Sequence, residues 1–182
     1  MQPQRLSPVP PGLARWRLSP LSWISLLRPY VPADLEPLID CWYDTWHHTF
    51  APRRHPHPRS AFRERFLRQY AQEAEVWVAR DLRAFLILFS SQPETSLTGT
   101  SNSAGWIEQL FVAPPAQNHG LGRALIALAR FRCPQGLALD TPAENLPARR
   151  FYSRRGFAAQ QIGFDAINQR LVLRYVWPAP RT

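Results

Sequence analysis

The segment Gln117-Asn118-His119-Gly120-Leu121-Gly122-Arg123 leads out of a strand-like stretch into an Ala- and Leu-rich helical one. Two glycines at such a junction let the main chain approach a ligand closely, and the free N–H groups of a helix start attract anions. That chemistry suits a pyrophosphate, with Arg123 adding a positive charge in the first turn. A tight strand-to-helix turn would use the same glycines, so the surroundings must decide between the two readings. Two other glycine motifs do not fit: no Lys-Ser/Thr comes after it as in a P-loop, and Leu125 stands where G-x-G-x-x-G needs its third glycine.

The elements around the loop are set by hydrophobic period. Leu35, Leu38, Ile39, Trp42, Trp46 and Phe50 recur at helical steps after Pro32, and Phe62, Phe66, Leu67 and Tyr70 repeat the pattern beyond a break at Pro52, Pro56 and Pro58. Before them, Ser22 to Leu27 reads as a first strand ended by Arg28-Pro29. Glu75 to Arg80 and Arg83 to Phe89 make a hairpin across Asp81-Leu82, and Trp106 to Val112 forms a fourth strand. The glycine segment then opens a helix that runs through Arg132. Gly136 to Asp140 is a fifth strand, Ala148 to Arg155 a short helix capped by Gly156, and Phe157 to Ile162 and Arg170 to Trp177 two last strands. The resulting α/β order places a helical crossover between strands four and five, which makes them parallel and opens a ligand crevice beside them.

Composition narrows the classes. A chain of 182 residues with 45% hydrophobic residues buries one good core, so one domain over residues 21–178 is expected, after a Pro- and Arg-rich flexible leader over 1–20. Cys41 and Cys133 are too few and too far apart for a disulfide framework or a zinc site. His47, His48, His55 and His57 lack a carboxylate or cysteine at a ligand spacing, so no metal is expected. No stretch has the length of a membrane span and the leader lacks an apolar signal region, which points to a cytoplasmic protein without a membrane partner. The net charge of +9 rests entirely on arginine, a compositional bias that also suits polyanions, coenzyme A and nucleic acid alike.

Two stretches carry a family resemblance. Ile107-Glu108-Gln109-Leu110-Phe111-Val112-x-Pro followed by Gln117-x-x-Gly120-x-Gly122-Arg123-Ala124-Leu125 resembles the acyl-CoA-binding core of the GNAT superfamily of N-acetyltransferases. Asn145-x-x-Ala148-x-x-Phe151-Tyr152-x-x-x-Gly156-Phe157 resembles its second signature, in the right order and after a strand. The resemblance is dense from Trp106 to Phe157, looser from Ser22 to Phe89 and absent from the leader. It departs from common patterns at Ala84, where a glycine often stands, and in the long loop from Ser90 to Gly105.

The resemblance implies a specific fold and site. The fold is a mixed central sheet of about seven strands, splayed between strands four and five and flanked by helices. Main-chain groups around Leu110, Phe111 and Val112 would pair with the pantetheine arm of acetyl-CoA as a pseudo-strand does, although the same side chains are also those any buried strand presents. Gln117, Asn118, His119, Gly120, Leu121, Gly122 and Arg123 would bind the pyrophosphate, chiefly through N–H groups. Asn145 would hydrogen-bond the coenzyme arm, or else cap the next helix. Tyr152 would donate a proton to the departing thiolate as general acid. An amine acceptor with a pKa near about 10 must lose a proton before attack, and Glu108, on strand parity with Leu110 and Val112, is the candidate base, working through water. No covalent acyl-enzyme is required, and Cys133, at the far end of the helix from Gly120, has no catalytic role.

The first two helices wall the acceptor pocket in this family. Trp42 and Trp46 fall on the apolar stripe and read as core, whereas Tyr43 and His47 lie off it and are the candidate acceptor-binding residues, together with Glu108. The acceptor class is a small-molecule or peptide amine. Leu171, Leu173, Tyr175 and Trp177 would serve either a homodimer surface or the monomer's own sheet. Two other functions stay open: an acyl-CoA-binding sensor without transfer, and a basic surface over Arg53, Arg54, Arg59, Arg63, Arg65 and Arg68, for which a nucleic-acid partner is disfavoured by the lack of any stacking pattern or helix-turn-helix.

Overall fold

The computed structural model describes residues 25–91, 105–165 and 169–178. The expected leader, the start of the expected first strand and most of the loop from Ser90 to Gly105 lie outside the described residues. Among the described residues, eleven main elements occur in the expected order: β1 (Leu27–Pro29), α1 (Leu35–Thr49), α2 (Arg59–Gln69), β2 (Glu75–Ala79), β3 (Ala84–Phe89), β4 (Trp106–Val112), α3 (Leu121–Arg132), β5 (Gly136–Pro142), α4 (Leu146–Arg154), β6 (Ala158–Asp165) and β7 (Arg170–Pro178).

The first strand differs from its expectation, because it begins at Leu27 and contains Arg28 and Pro29. Proline is tolerated there since β1 is the outer strand of the sheet, where a missing N–H breaks no ladder. Arg28 then forks onto the buried Asp34 at 2.6 and 2.7 Å, and the Val31 N–H reaches the same carboxylate at 2.9 Å. The bonds from Arg28 hold that carboxyl below its ordinary value and tie the edge strand to the start of α1.

Seven strands form one sheet in the order β1-β2-β3-β4-β5-β7-β6. Every neighbouring pair is antiparallel except β4 and β5, which the crossover through α3 makes parallel. Helices cover both faces, so β3 reads as an unbroken apolar run. Its Phe85 and Ile87 meet Leu38, Ile39, Trp42, Phe62 and Phe66 of α1 and α2. Leu86 and Leu88 meet Leu125, Ile126, Leu128 and Ala129 of α3. Tyr175 is buried and Trp177 packs on the same core, on a strand flanked by β5 and β6, so both complete the monomer's sheet.

β4 departs from a regular strand in two ways. First, Ile87 pairs with Gln109 and Leu88 with Ile107, which leaves Glu108 as the extra residue of a β-bulge. Ile107 packs on the α3 side and so do Leu110 and Val112, whereas Glu108 bonds Arg65 of α2 and Tyr70 at its C-cap. The expected parity of Glu108 with Leu110 and Val112 is therefore broken: an inserted residue shifts the alternation, and a count by twos cannot register it. Second, β4 and β5 share one bridge, Trp106 with Ala138, and then part.

A buried ion pair stands beside the parting. Arg174, 1% exposed, donates from Nε to Asp140 at 2.7 Å and lies 4.6 Å from the centroid of the Trp106 ring. Removing one member strands the other charge in a medium that cannot solvate it. Asp140→Ala is expected to lower the unfolding free energy by about 3–5 kcal/mol in urea titrations, while the joint apolar replacement Asp140→Leu with Arg174→Met costs far less.

Candidate active site

The parting of β4 and β5 creates a cleft of about 1510 Å³. On its outer side β4 is paired with β3 as far as Val112, with Leu86 opposite Leu110, Phe85 opposite Phe111 and Ala84 opposite Val112. Its inner edge beyond Trp106 has no strand partner, so peptide groups along it meet the cleft, and Leu110, Phe111 and Val112 line it.

The glycine segment lies at the C-terminal end of that edge. Asn118 has φ 65° and Gly120 φ 94°, the left-handed region that Gly adopts freely and Asn better than most. Gly120 is the N-cap of α3, and no side chain caps the helix. The first-turn N–H groups of Leu121, Gly122 and Arg123 therefore lack intrahelical acceptors. At Gly122 a Cβ would stand 3.2 Å from two ring carbons of Phe151, so this glycine permits the close approach of α3 to α4. Asn118, His119, Gly120, Gly122 and Arg123 line the cleft, while the Leu121 side chain is buried in the core and offers only its main chain. Gln117 lines the cleft as well, with its hydrogen-bond donor groups engaged within the chain. Its main-chain N–H is taken by the Pro114 carbonyl at 3.2 Å, and its side-chain Nε2 donates to the Val112 carbonyl at 3.0 Å, the end of the open edge.

Arg155 was invisible to motif reading and lines the same cleft. Its Nε is buried without a hydrogen-bond partner among the described residues, and its guanidinium lies 5.3 Å from the Phe151 ring centroid. Burial, and then the charges of Arg123 and Arg154, hold it below the usual guanidinium value. Cations crowded beside an uncapped helix start form a place that an anion relieves. The one sequence signal was the Arg154-Arg155 doublet just before Gly156.

Tyr152 projects from α4 among Phe151, Phe157 and Tyr175. It is 7% exposed, lines the cleft, and its hydroxyl has no hydrogen-bond partner among the described residues. Burial pushes its phenol well above the ordinary value, so the proton stays on. Asn145 accepts from the Ala148 N–H at 3.1 Å, which makes it the cap of α4, and it also lines the cleft.

Glu108, with 17% of its side chain exposed, faces the cleft from the bulge. Its Oε1 accepts from the Tyr70 hydroxyl at 2.8 Å and Arg65 Nη2 at 3.1 Å, and its Oε2 from Trp106 Nε1 at 2.8 Å. Burial foremost, with Glu108 assisting, raises the Tyr70 phenol and keeps it a donor. A carboxylate has about four acceptor positions, so these three donors fix its orientation and leave Oε2 room for one more bond. Neither thiol competes for the chemistry: burial pushes Cys41 up to about 11 and raises Cys133 as well.

The acceptor wall is not the expected one. Tyr43 and His47 do not line the cleft: His47 is bonded through Nδ1 to the Tyr43 carbonyl at 2.8 Å, and Tyr43 packs edge-on against Phe62. Trp42, Thr45, Trp46, Thr49 and Phe50 of the same helix region line it instead, joined by His55 and by Arg170 of β7. A large aromatic on the buried stripe can show one edge to a cavity while remaining core, as Trp42 and Trp46 do.

The arginine-rich stretch is largely neutralised within the molecule. Arg59 pairs with Glu36 and Asp40, Arg63 with Glu36, Arg65 with Glu108, Arg68 with Glu64, and Arg53 with Glu144. Among the described residues no group of three or more His, Cys, Asp or Glu side chains is placed to hold a metal ion, and no helix is long and apolar enough to cross a membrane.

Residues 39–157 match the Acetyltransferase (GNAT) family, and the chain belongs to it. Solved structures carry the same fold at low sequence identity. One is a Corynebacterium glutamicum histone acetyltransferase HPA2 and related acetyltransferase, 17% identical, with TM-score 0.68 over 86% of this chain and 97% of that one. Another is the Thermoplasma acidophilum PaiA N-acetyltransferase in complex with coenzyme A, 18% identical, with TM-score 0.60 over 83% and 98%. A third is the Escherichia coli ribosomal-protein-S18-alanine N-acetyltransferase, 17% identical, with TM-score 0.57 over 86% and 94%. No curated protein matches the chain in sequence.

His55 gives the cleft wall a measurable signature. The His57 N–H donates to its Nδ1 at 3.0 Å, and its ring lies 4.6 Å from both Trp46 and Phe62. Burial above all, helped by the charges of His57, His47 and Arg170, lowers its pKa. The unfolded chain then binds this proton more readily, so the contribution to stability is complete above the ordinary value of about 6.5 and is lost as pH falls below it toward the folded value. In urea unfolding between about pH 7.5 and 5, His55→Gln is expected to flatten part of the wild-type decline.

Proposed function

We propose that the chain transfers an acyl group, with acetyl as the default, from acyl-CoA to a primary amine by direct attack in a ternary complex. The observation that carries this reading is the open inner edge of β4 ending at an uncapped helix start, with the Tyr152 phenol opening on the same cleft. The groups along this path match the acyl donor in chemistry. The edge peptides of β4 suit the pantetheine amides, and the first-turn N–H groups of α3 with Arg123 and Arg155 suit the phosphates.

Within that reading each residue has one task. Glu108, locked by Tyr70, Arg65 and Trp106, accepts the amine proton through a water at Oε2, which makes the nitrogen nucleophilic. The nitrogen–carbon bond forms first, a β4 main-chain N–H stabilises the oxyanion that results, and the carbon–sulfur bond then breaks to release the thiolate. Tyr152 delivers its retained proton to the sulfur. Gln117 holds the Val112 carbonyl, keeping the end of the edge in shape.

The donor site is tested by thermal unfolding with acetyl-CoA, ATP and a short duplex DNA. Acetyl-CoA at about 100 times its Kd should stabilise by about 2.7 kcal/mol, and the other two should not. Gly120→Asp, which brings a negative charge to the loop at a strain to its positive-φ backbone, should abolish the effect in a chain that still unfolds cooperatively. Equal shifts with all three polyanions would reject the site. For the chemistry, Tyr152→Phe should lower kcat for thiol release by about 100-fold or more while keeping the stabilisation by acetyl-CoA. An unchanged kcat would remove Tyr152 from the proton path.

A further inference from the structure

Arg170 occupies an unusual position for a guanidinium. It is the first residue of β7, its side chain is 14% exposed, and it lines the cleft. Its Nε and Nη1 are buried without a hydrogen-bond partner among the described residues. The nearest carboxylate, Asp165, stands 3.5 Å from Nε, an ion-pair contact that leaves both donors unmade. Behind it the Phe50 ring lies 5.0 Å from the guanidinium carbon. Burying a charged donor without an acceptor is costly, so a ligand that supplies one is favoured there.

The elements that carry this group are not those of the anion loop. Phe50 and His55 belong to the end of α1 and its connection to α2, and Arg170 and Asp165 to the ends of β7 and β6. The anion loop has its own cations in Arg123 and Arg155. The fork of N–H groups matches a planar carboxylate, and the adjacent Asp165 disfavours a dianion such as a phosphate monoester.

Resting on the acyl-transfer reading above, we propose that Arg170 binds a carboxylate carried by the acceptor itself, so that the acceptor is a small amino acid-like amine. A peptide N-terminus, whose neighbouring carboxyl is an amide, does not satisfy this site.

The test uses the full chain with acetyl-CoA and measures thiol release for a panel of aromatic and aliphatic amino acids, each beside its own α-amide. In the wild type, the best acid should exceed its amide in kcat/KM by about 10-fold or more. Arg170→Gln should bring the two together by raising KM for the acid well beyond any change for the amide. Arg170→Lys should recover a part of the preference, since an ammonium keeps the charge and loses the fork. A wild-type panel in which no acid is used faster than its amide overturns the proposal, whatever becomes of the variants. Equal losses for acid and amide in Arg170→Gln also overturn it, as they mark a structural role. Acetyl-CoA stabilisation separates the two levels: if it persists while the acid preference is missing, this proposal alone falls, and if it is missing too, the acyl-transfer reading falls first.

Discussion

Between Trp106 and Ala138 two parallel strands share one bridge and then diverge, and the peptide groups so released have to find other partners. Those on the outer edge of β4 pair with β3, but the inner edge stays open to the cleft. A sheet that separates within its own middle would lose stability if nothing filled the gap. Beside the separation, the Arg174–Asp140 pair and the Trp106 ring occupy the interior, and Trp106 continues the contact to Glu108. The same network that supports the opening therefore also orients a carboxylate at its rim.

The bulge at Glu108 and the parting act together. Without the extra residue, Glu108 would point with Leu110 and Val112 toward α3 and the core. With it, the carboxylate reaches α2 and its C-cap, where Arg65 and Tyr70 meet it. One insertion thus transfers an acid from one face of the sheet to the other while the strand beyond keeps its apolar alternation. α3 contributes from the other direction, since Gly122 lets it lie close to Phe151 and Gly120 turns the chain so that the first-turn N–H groups stay free.

Charge is distributed unevenly over this frame. The arginines of α2 are balanced by Glu36, Asp40, Glu64 and Glu108, whereas Arg155 and Arg170 are half-buried at the cleft with buried donor atoms unmade. A net charge of +9 is therefore a poor guide to where an anion would bind. Buried donor atoms without a hydrogen bond give the two cleft arginines their meaning, and that property cannot be read from composition.

Local chemistry was legible from the residues alone. Helix and strand periods, the glycine turn into α3, the Asn145 cap and the aromatic pair Phe151-Tyr152 depend on neighbours in the chain, and they led to the element order and the family. The edge strand moved to Leu27–Pro29 because a proline is judged by its place in the sheet, which the sequence does not state. Tertiary structure alone decided which face Glu108 occupies, that Gln117 spends its donors on Pro114 and Val112, that Tyr43 and His47 turn from the cleft while Trp42 and Trp46 show it an edge, and that Arg155 and Arg170 face it. Each of these depends on contacts between segments distant in sequence, whose distances and burial arise only when the sheet parts and the helices close over it.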